Sequence, residues 1–326
     1  MKTFQYTALA CALVLALSAC KDSSNTDSTA TTTASSTQAS QPQRAEEQPI
    51  APQNEANKQA AYNKYVGAHN SVAGMFHGSI QGVDALLEAY QAQDLSNGDG
   101  KVNKNIGPRL YLNTTMLGNM IRDLQAAQNL PVGGDMAALE AAATKLLDSS
   151  QALLKQGEDL NAYFESKKFL DDQYAKVKAE NEGFVKQWTQ FNQDYAAFST
   201  QLDEAERQER LQNIAAFTKE GKLREAASET VFLEAGAVLK LIGQPEDLKN
   251  AEKMAKADEH MQKLDAALTQ LKTQNDQIND AESSSFKTTL GYFNQFSGNW
   301  RELKANQDAS KFNEMVENYN FAVKFH

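Results

Sequence analysis

Phe184-Val185-Lys186-Gln187-Trp188-Thr189-Gln190-Phe191-Asn192-Gln193-Asp194-Tyr195-Ala196-Ala197-Phe198-Ser199-Thr200-Gln201-Leu202 decides the fold class. Its large apolar residues, Phe184, Trp188, Phe191, Tyr195, Phe198 and Leu202, alternate steps of four and three. Such a seam keeps one face of an α-helix against a partner helix, whereas a strand would need alternation by two. The flanking polar residues carry the helix from about Asp172 to Lys219, and Gly221 supplies a stop.

The same periodicity continues on both sides. Tyr62, Tyr65, Val66, His69, Val72, Phe76, Ile80, Val83, Leu87 and Tyr90 place one helix over about Asn57 to Gln91. Pro108 marks a helix start, and Asp135 is an N-cap candidate after the Pro131, Gly133, Gly134 turn. Pro245-Glu246-Asp247 opens a helix with an acidic first turn, Ser283 to Ser285 cap another, and a last one begins near Ser310. No stretch alternates with the period of a strand. With 6 Pro and 17 Gly in 326 residues, turns are too few for an all-β chain. The expectation is an all-α, antiparallel bundle of seven or eight helices over residues 54–326.

The N-terminus reads as an address. Lys2 precedes an apolar run from Ala8 to Leu17, which ends in Leu17-Ser18-Ala19-Cys20. A branched apolar residue, two small residues and a cysteine form the bacterial lipobox, so residues 1–19 are expected to be a lipoprotein signal peptide and Cys20 the acylated residue. Cleavage would remove Cys11, leaving one lipidated cysteine and no internal disulfide. Two or three acyl chains anchor stably where one is marginal. Lys21, not aspartate, follows the cysteine, which under enterobacterial sorting favours the outer membrane of a Gram-negative cell. Residues 20–53 are rich in Ser, Thr, Ala and Gln, with Pro42, Pro49 and Pro52, and read as a disordered tether with a reach of roughly 30 Å. A glycan-bearing stalk is the other reading of that composition.

Charge and chemistry narrow the function. The net charge is −10 without a basic tract, which argues against nucleic acid, since phosphate affinity comes from Lys and Arg. A mean hydropathy of −0.57 argues against a polytopic membrane protein. Asn97-Gly98-Asp99-Gly100 suggests a calcium loop, but its first and twelfth positions, Leu95 and Ile106, are not acidic, so a connecting turn is expected. His69, His77, His260 and His326 have no acidic residue three positions away, and no metal or cofactor is expected. Gly74, Gly78 and Gly82 form a small-residue stripe expected to seat a crossing helix. Nucleophile elbow, Walker loop and dinucleotide fingerprint are all missing, so no enzyme activity is expected. Trp188, Phe191, Tyr195 and Phe198 are the candidates for a ligand or partner groove; a heptad core is the other reading.

Two stretches carry a family resemblance: Tyr62-Asn63-Lys64-Tyr65-Val66 with Asn70, and Phe312-Asn313-Glu314-Met315-Val316-Glu317-Asn318-Tyr319-Asn320. With the lipobox and polar linker, they make the chain resemble the YiiG-like family of bacterial lipoproteins over roughly residues 56–325. That family is defined around a domain of unknown function. The resemblance implies a cell-envelope lipoprotein and brings no catalytic residues. The expected function is a lipid-anchored bundle held to the membrane through Cys20 and presented to an envelope protein. The alternative is a periplasmic carrier enclosing a small apolar ligand between helices.

Overall fold

The aromatic seam lies on a helix of 46 residues, Ala175–Glu220, about 69 Å long at 1.5 Å per residue. Gly221 ends it as expected. Its φ of 74° lets its N–H reach Thr218 and the N–H of Lys222 reach Phe217, closing the last turn. The computed structural model describes residues 51–75, 82–98, 100–103, 107–130, 132–243, 245–278 and 280–324. Among these there are nine α-helices and no strand: α1 (Ala51–Met75), α2 (Gly82–Gln91), α3 (Thr114–Gln128), α4 (Ala137–Glu165), α5 (Ala175–Glu220), α6 (Leu223–Leu241), α7 (Ala251–Gln277), α8 (Ser283–Asn306) and α9 (Ala309–Val323). The helical count exceeds seven or eight because the stretch read as one helix from Asn57 to Gln91 contributes both α1 and α2. Cys20, the signal peptide, His77, Gly78 and His326 lie outside the described residues.

The helices bury their apolar stripes in two cores. In the first, α1 packs on α3, α3 on α4 and α4 on the first half of α5, with α2 against α5. Its buried residues run from Ala61 to Leu202. In the second, α6, α7, α8 and α9 pack in sequence, and α9 returns to α6. Its buried residues run from Ala227 to Val323. Both are the up-and-down arrangement that short connections favour. The second half of α5 packs on α6 and links the two. Each core holds one of the two tryptophans, Trp188 in the first and Trp300 in the second.

Several helix starts differ from the sequence expectation: α1 begins at Ala51, inside the stretch read as tether, and Ser283, Ser284 and Ser285 are the first residues of α8 rather than its cap. Pro108 does not begin a helix. The Gln93 side chain bonds the backbone of Arg109 in both directions (2.6 and 2.7 Å), which holds the segment extended, and α3 starts only after Asn113 caps Met116 at 3.1 Å. Asp135 does not cap α4. It sits in a 3₁₀ turn and pairs with Lys58 at 2.6 Å, while Glu140 accepts the N–H groups of Val132 and Gly133. Pro245-Glu246-Asp247 forms a 3₁₀ turn, and the Asn250 side chain caps α7 through Glu252 and Lys253. Asn97 closes a 3₁₀ turn and Gly98, Gly100 and Lys101 lie in turns, with Leu95 buried in the first core, while Asp99 lies outside the described residues. A Cβ at Gly100 would overlap the carbonyls of Asp94 and Gln93, so glycine is required there.

Buried Arg224 fastens the start of α6 to the α7–α8 connection. Its guanidinium pairs with Asp280 (2.9 Å), Glu225 (3.0 Å) and Glu282 (3.3 Å) and lies over the Phe286 ring at 4.3 Å. The hydrogen bond from Arg224 holds the Asp280 carboxyl down from 3.8 to about 2. A lowered folded-state pKa means the pairing stabilises fully above the ordinary carboxylate value and is lost as pH falls through the folded one. Thermal midpoints measured from pH 5 to pH 2 should therefore fall between about pH 4 and pH 2, and Asp280→Asn should flatten that part of the curve.

Candidate functional site

The four seam aromatics are all buried in the first core. Trp188 packs against Tyr90 (5.9 Å) and Phe184 (5.6 Å), Phe198 meets Tyr65 edge-on (6.0 Å), and Phe191 stacks on Tyr195 (6.3 Å). Tyr195 also stacks on buried His69 from α1 at 5.6 Å and 14°. Its hydroxyl and that of Ser199 lie 3.2 and 3.4 Å from His69 Nδ1. Burial pushes the Tyr195 phenol up, so it stays protonated and serves as a neutral hydrogen-bonding group. Sequence reading treated His69 and Tyr195 separately, and the fold brings them together. His260, by contrast, pairs with Glu234 across α6 and α7 at 2.5 Å. Among the described residues no three His, Cys, Asp or Glu side chains gather as a metal site would require.

Where the cores meet, α5 buries a charge that the sequence does not advertise. Arg210 is 5% exposed. Its guanidinium binds Glu206 (2.8 and 2.9 Å) and Glu229 of α6 (2.7 Å) and lies over the Phe232 ring at 4.9 Å. Burial works against its charge, but Tyr319, Glu206 and Glu229 outweigh this and hold it protonated. Burial pushes the Glu206 carboxyl up, with Arg210 opposing. Tyr62 of α1 and Tyr319 of α9 both lie within electrostatic reach, so residues of both cores surround one cation.

Two surface cavities among the described residues bear on the site. One, of about 340 Å³, lies between α4 and the start of α5. Its polar groups close on one another: Tyr163 donates to Asp172 at 2.7 Å and Lys176 pairs with Asp159 at 2.5 Å. The tyrosine hydroxyl holds the Asp172 carboxyl below the usual range.

The larger cavity, about 480 Å³, is a groove between α8 and α9. It uses the helix faces beside the core stripe. On α8, Tyr292, Gln295, Asn299 and Glu302 follow at steps of three and four, with Gly298 among them. A Cβ at Gly298 would meet nothing within 4 Å, so the glycine leaves the groove open. On α9, Glu314, Glu317, Asn318 and Phe321 face them. Tyr292 and Phe321 stack at 5.5 Å and 22°, and Phe321 remains 43% exposed. Lys311 bridges Glu302 (3.2 Å) and Glu314 (3.0 Å). Sequence reasoning passed over this groove. The available signal was Phe321, an aromatic off the α9 stripe of Phe312, Val316, Tyr319 and Val323.

A family model described as "Protein of unknown function (DUF3829)" matches residues 56–323. The chain belongs to this family. No curated protein and no solved structure matches it. The DUF3829 stretch runs from the first turns of α1 to the last residue of α9, so it contains both cores, the Arg210 junction and the α8–α9 groove. Among the described residues, no helix is long and apolar enough to cross a membrane.

Proposed function

We propose that this DUF3829 chain is a non-enzymatic lipoprotein of the cell envelope, of the YiiG-like kind. In this reading Cys20 carries the acyl chains, the residues between Cys20 and the start of α1 hold the body off the membrane, and the paired bundles meet a protein partner. The anchor is supported by the lipobox Leu17-Ser18-Ala19-Cys20 directly after an apolar run. Lys21 after the cysteine favours the outer membrane. The observation that carries the partner reading is the α8–α9 groove, an open surface cleft with an exposed aromatic and a carboxylate rim. A structural body is supported by the buried charges: Arg210 and Glu229 close an ion pair between helices, Arg224 closes one with a connecting turn, and Glu234 is hydrogen-bonded to His260 of α7.

Labelled palmitate tests the anchor. Cells expressing the full chain should yield a labelled protein in the membrane fraction, and Cys20→Ser should give an unlabelled precursor. Label persisting in Cys20→Ser, or an unlabelled wild type, overturns the lipoprotein reading.

A further inference from the structure

We infer that the α8–α9 groove receives a short protein segment carrying a lysine or arginine beside an aromatic or aliphatic residue. The cation would face Glu317 and the apolar side chain would rest on Tyr292 and Phe321. This rests on the reading that the body meets a protein partner, and it names that partner's chemistry.

Charge comes first. Three carboxylates, Glu302, Glu314 and Glu317, line the groove. Lys311 already bridges the first two. Glu317 is exposed and makes no ion pair among the described residues. Two cations, Lys311 and Lys324 at the Phe321 ring, against three carboxylates leave the groove with a net charge of −1 and Glu317 as its unpaired carboxylate, so it favours an incoming cation over phosphate or carboxylate ligands.

An independent observation points to an occupant. Asn318 lines the groove, is only 7% exposed, and has no hydrogen bond among the described residues. Its amide atoms keep contact with solvent, so they offer a donor and an acceptor that an incoming backbone can take up. Gln295 and Asn299 across the groove add donors and acceptors suited to a peptide backbone. The aromatic pair supplies the apolar seat. Lys324 Nζ already lies 5.0 Å from the Phe321 ring centroid, so this ring accepts a cation from the chain itself.

The test uses the full mature chain in detergent and three fluorescein-labelled tripeptides, Lys-Phe-Lys, Gln-Phe-Gln and Glu-Phe-Glu, read by anisotropy at low and high salt. Lys-Phe-Lys should bind saturably and weaken with salt, with the other two weaker in that order. Glu317→Gln should weaken it by about two- to fivefold, the range of an exposed ion pair. Gly298→Leu should block it, because its side chain enters open space. Asn318→Leu should lose affinity with little change in the urea midpoint, since the amide has no hydrogen bond within the described residues to lose. Equal binding of the three peptides, no binding at all, or Lys-Phe-Lys binding untouched by Glu317→Gln and Gly298→Leu would overturn the inference. None of these results alters palmitate labelling at Cys20, so failure here is distinct from failure of the anchor.

Discussion

Arg210→Met is expected to lower the unfolding free energy by about 3–5 kcal/mol, the range for removing one partner of a buried ion pair. The guanidinium is held by Glu206 and Glu229 and capped by the Phe232 ring, so the variant leaves two carboxylates buried beside an apolar side chain. Their remaining option is to take up protons. Burial already pushes Glu206 up, and removing the arginine takes from both carboxylates the cation that favours their charged forms. A carboxyl whose folded value lies above its unfolded one is stable below the unfolded value and loses that stability as pH rises through the folded one. The deficit against the wild type should therefore be smaller at pH 5 than at pH 7 in urea titrations. Adding Glu206→Leu and Glu229→Leu should recover most of it, because an apolar triad of similar volume carries no desolvation cost. A deficit below about 1 kcal/mol, or one independent of pH, would show that the cluster is hydrated rather than buried.

The second large effect concerns the coupling of the cores. Phe293 is fully buried against Phe232 (4.9 Å), Phe296 (6.0 Å) and Tyr319 (6.1 Å). Phe293→Ala should cost about 3–5 kcal/mol through lost transfer energy and a residual cavity. The two tryptophans report the cores separately, so Trp188→Phe leaves Trp300 as the probe of the second core, and Trp300→Phe leaves Trp188 as the probe of the first. Because α5 is continuous and Arg210 is surrounded from both sides, Phe293→Ala should shift both probes to the same lower urea midpoint. A Trp188 midpoint left unchanged would mean that the cores unfold independently.

The sequence carried the helices further than their assembly. The seam from Phe184 to Leu202 and the stop at Gly221 were legible because periodicity and an αL glycine are local signals. The failures at Pro108 and Asp135 came from partners distant in sequence, Gln93 and Lys58, that no local rule supplies. Arg210 sits in the run Glu204-Ala205-Glu206-Arg207-Gln208-Glu209-Arg210, which reads as a solvated face, and only the approach of α6 buries it. The groove was hidden for a related reason. Two faces that are each ordinary surface become a cleft only when α8 and α9 lie side by side, so Phe321 off its stripe was the one visible trace.

The most direct measurement of the presentation reading is photocrosslinking in living cells from the full lipidated chain. A photoreactive phenylalanine analogue replaces Phe321 in the groove and, as a control, exposed Lys263 on α7. The account expects one discrete protein adduct from position 321, weakened by Glu317→Gln and missing from position 263. Adduct yields at position 321 no greater than those at 263 would contradict it.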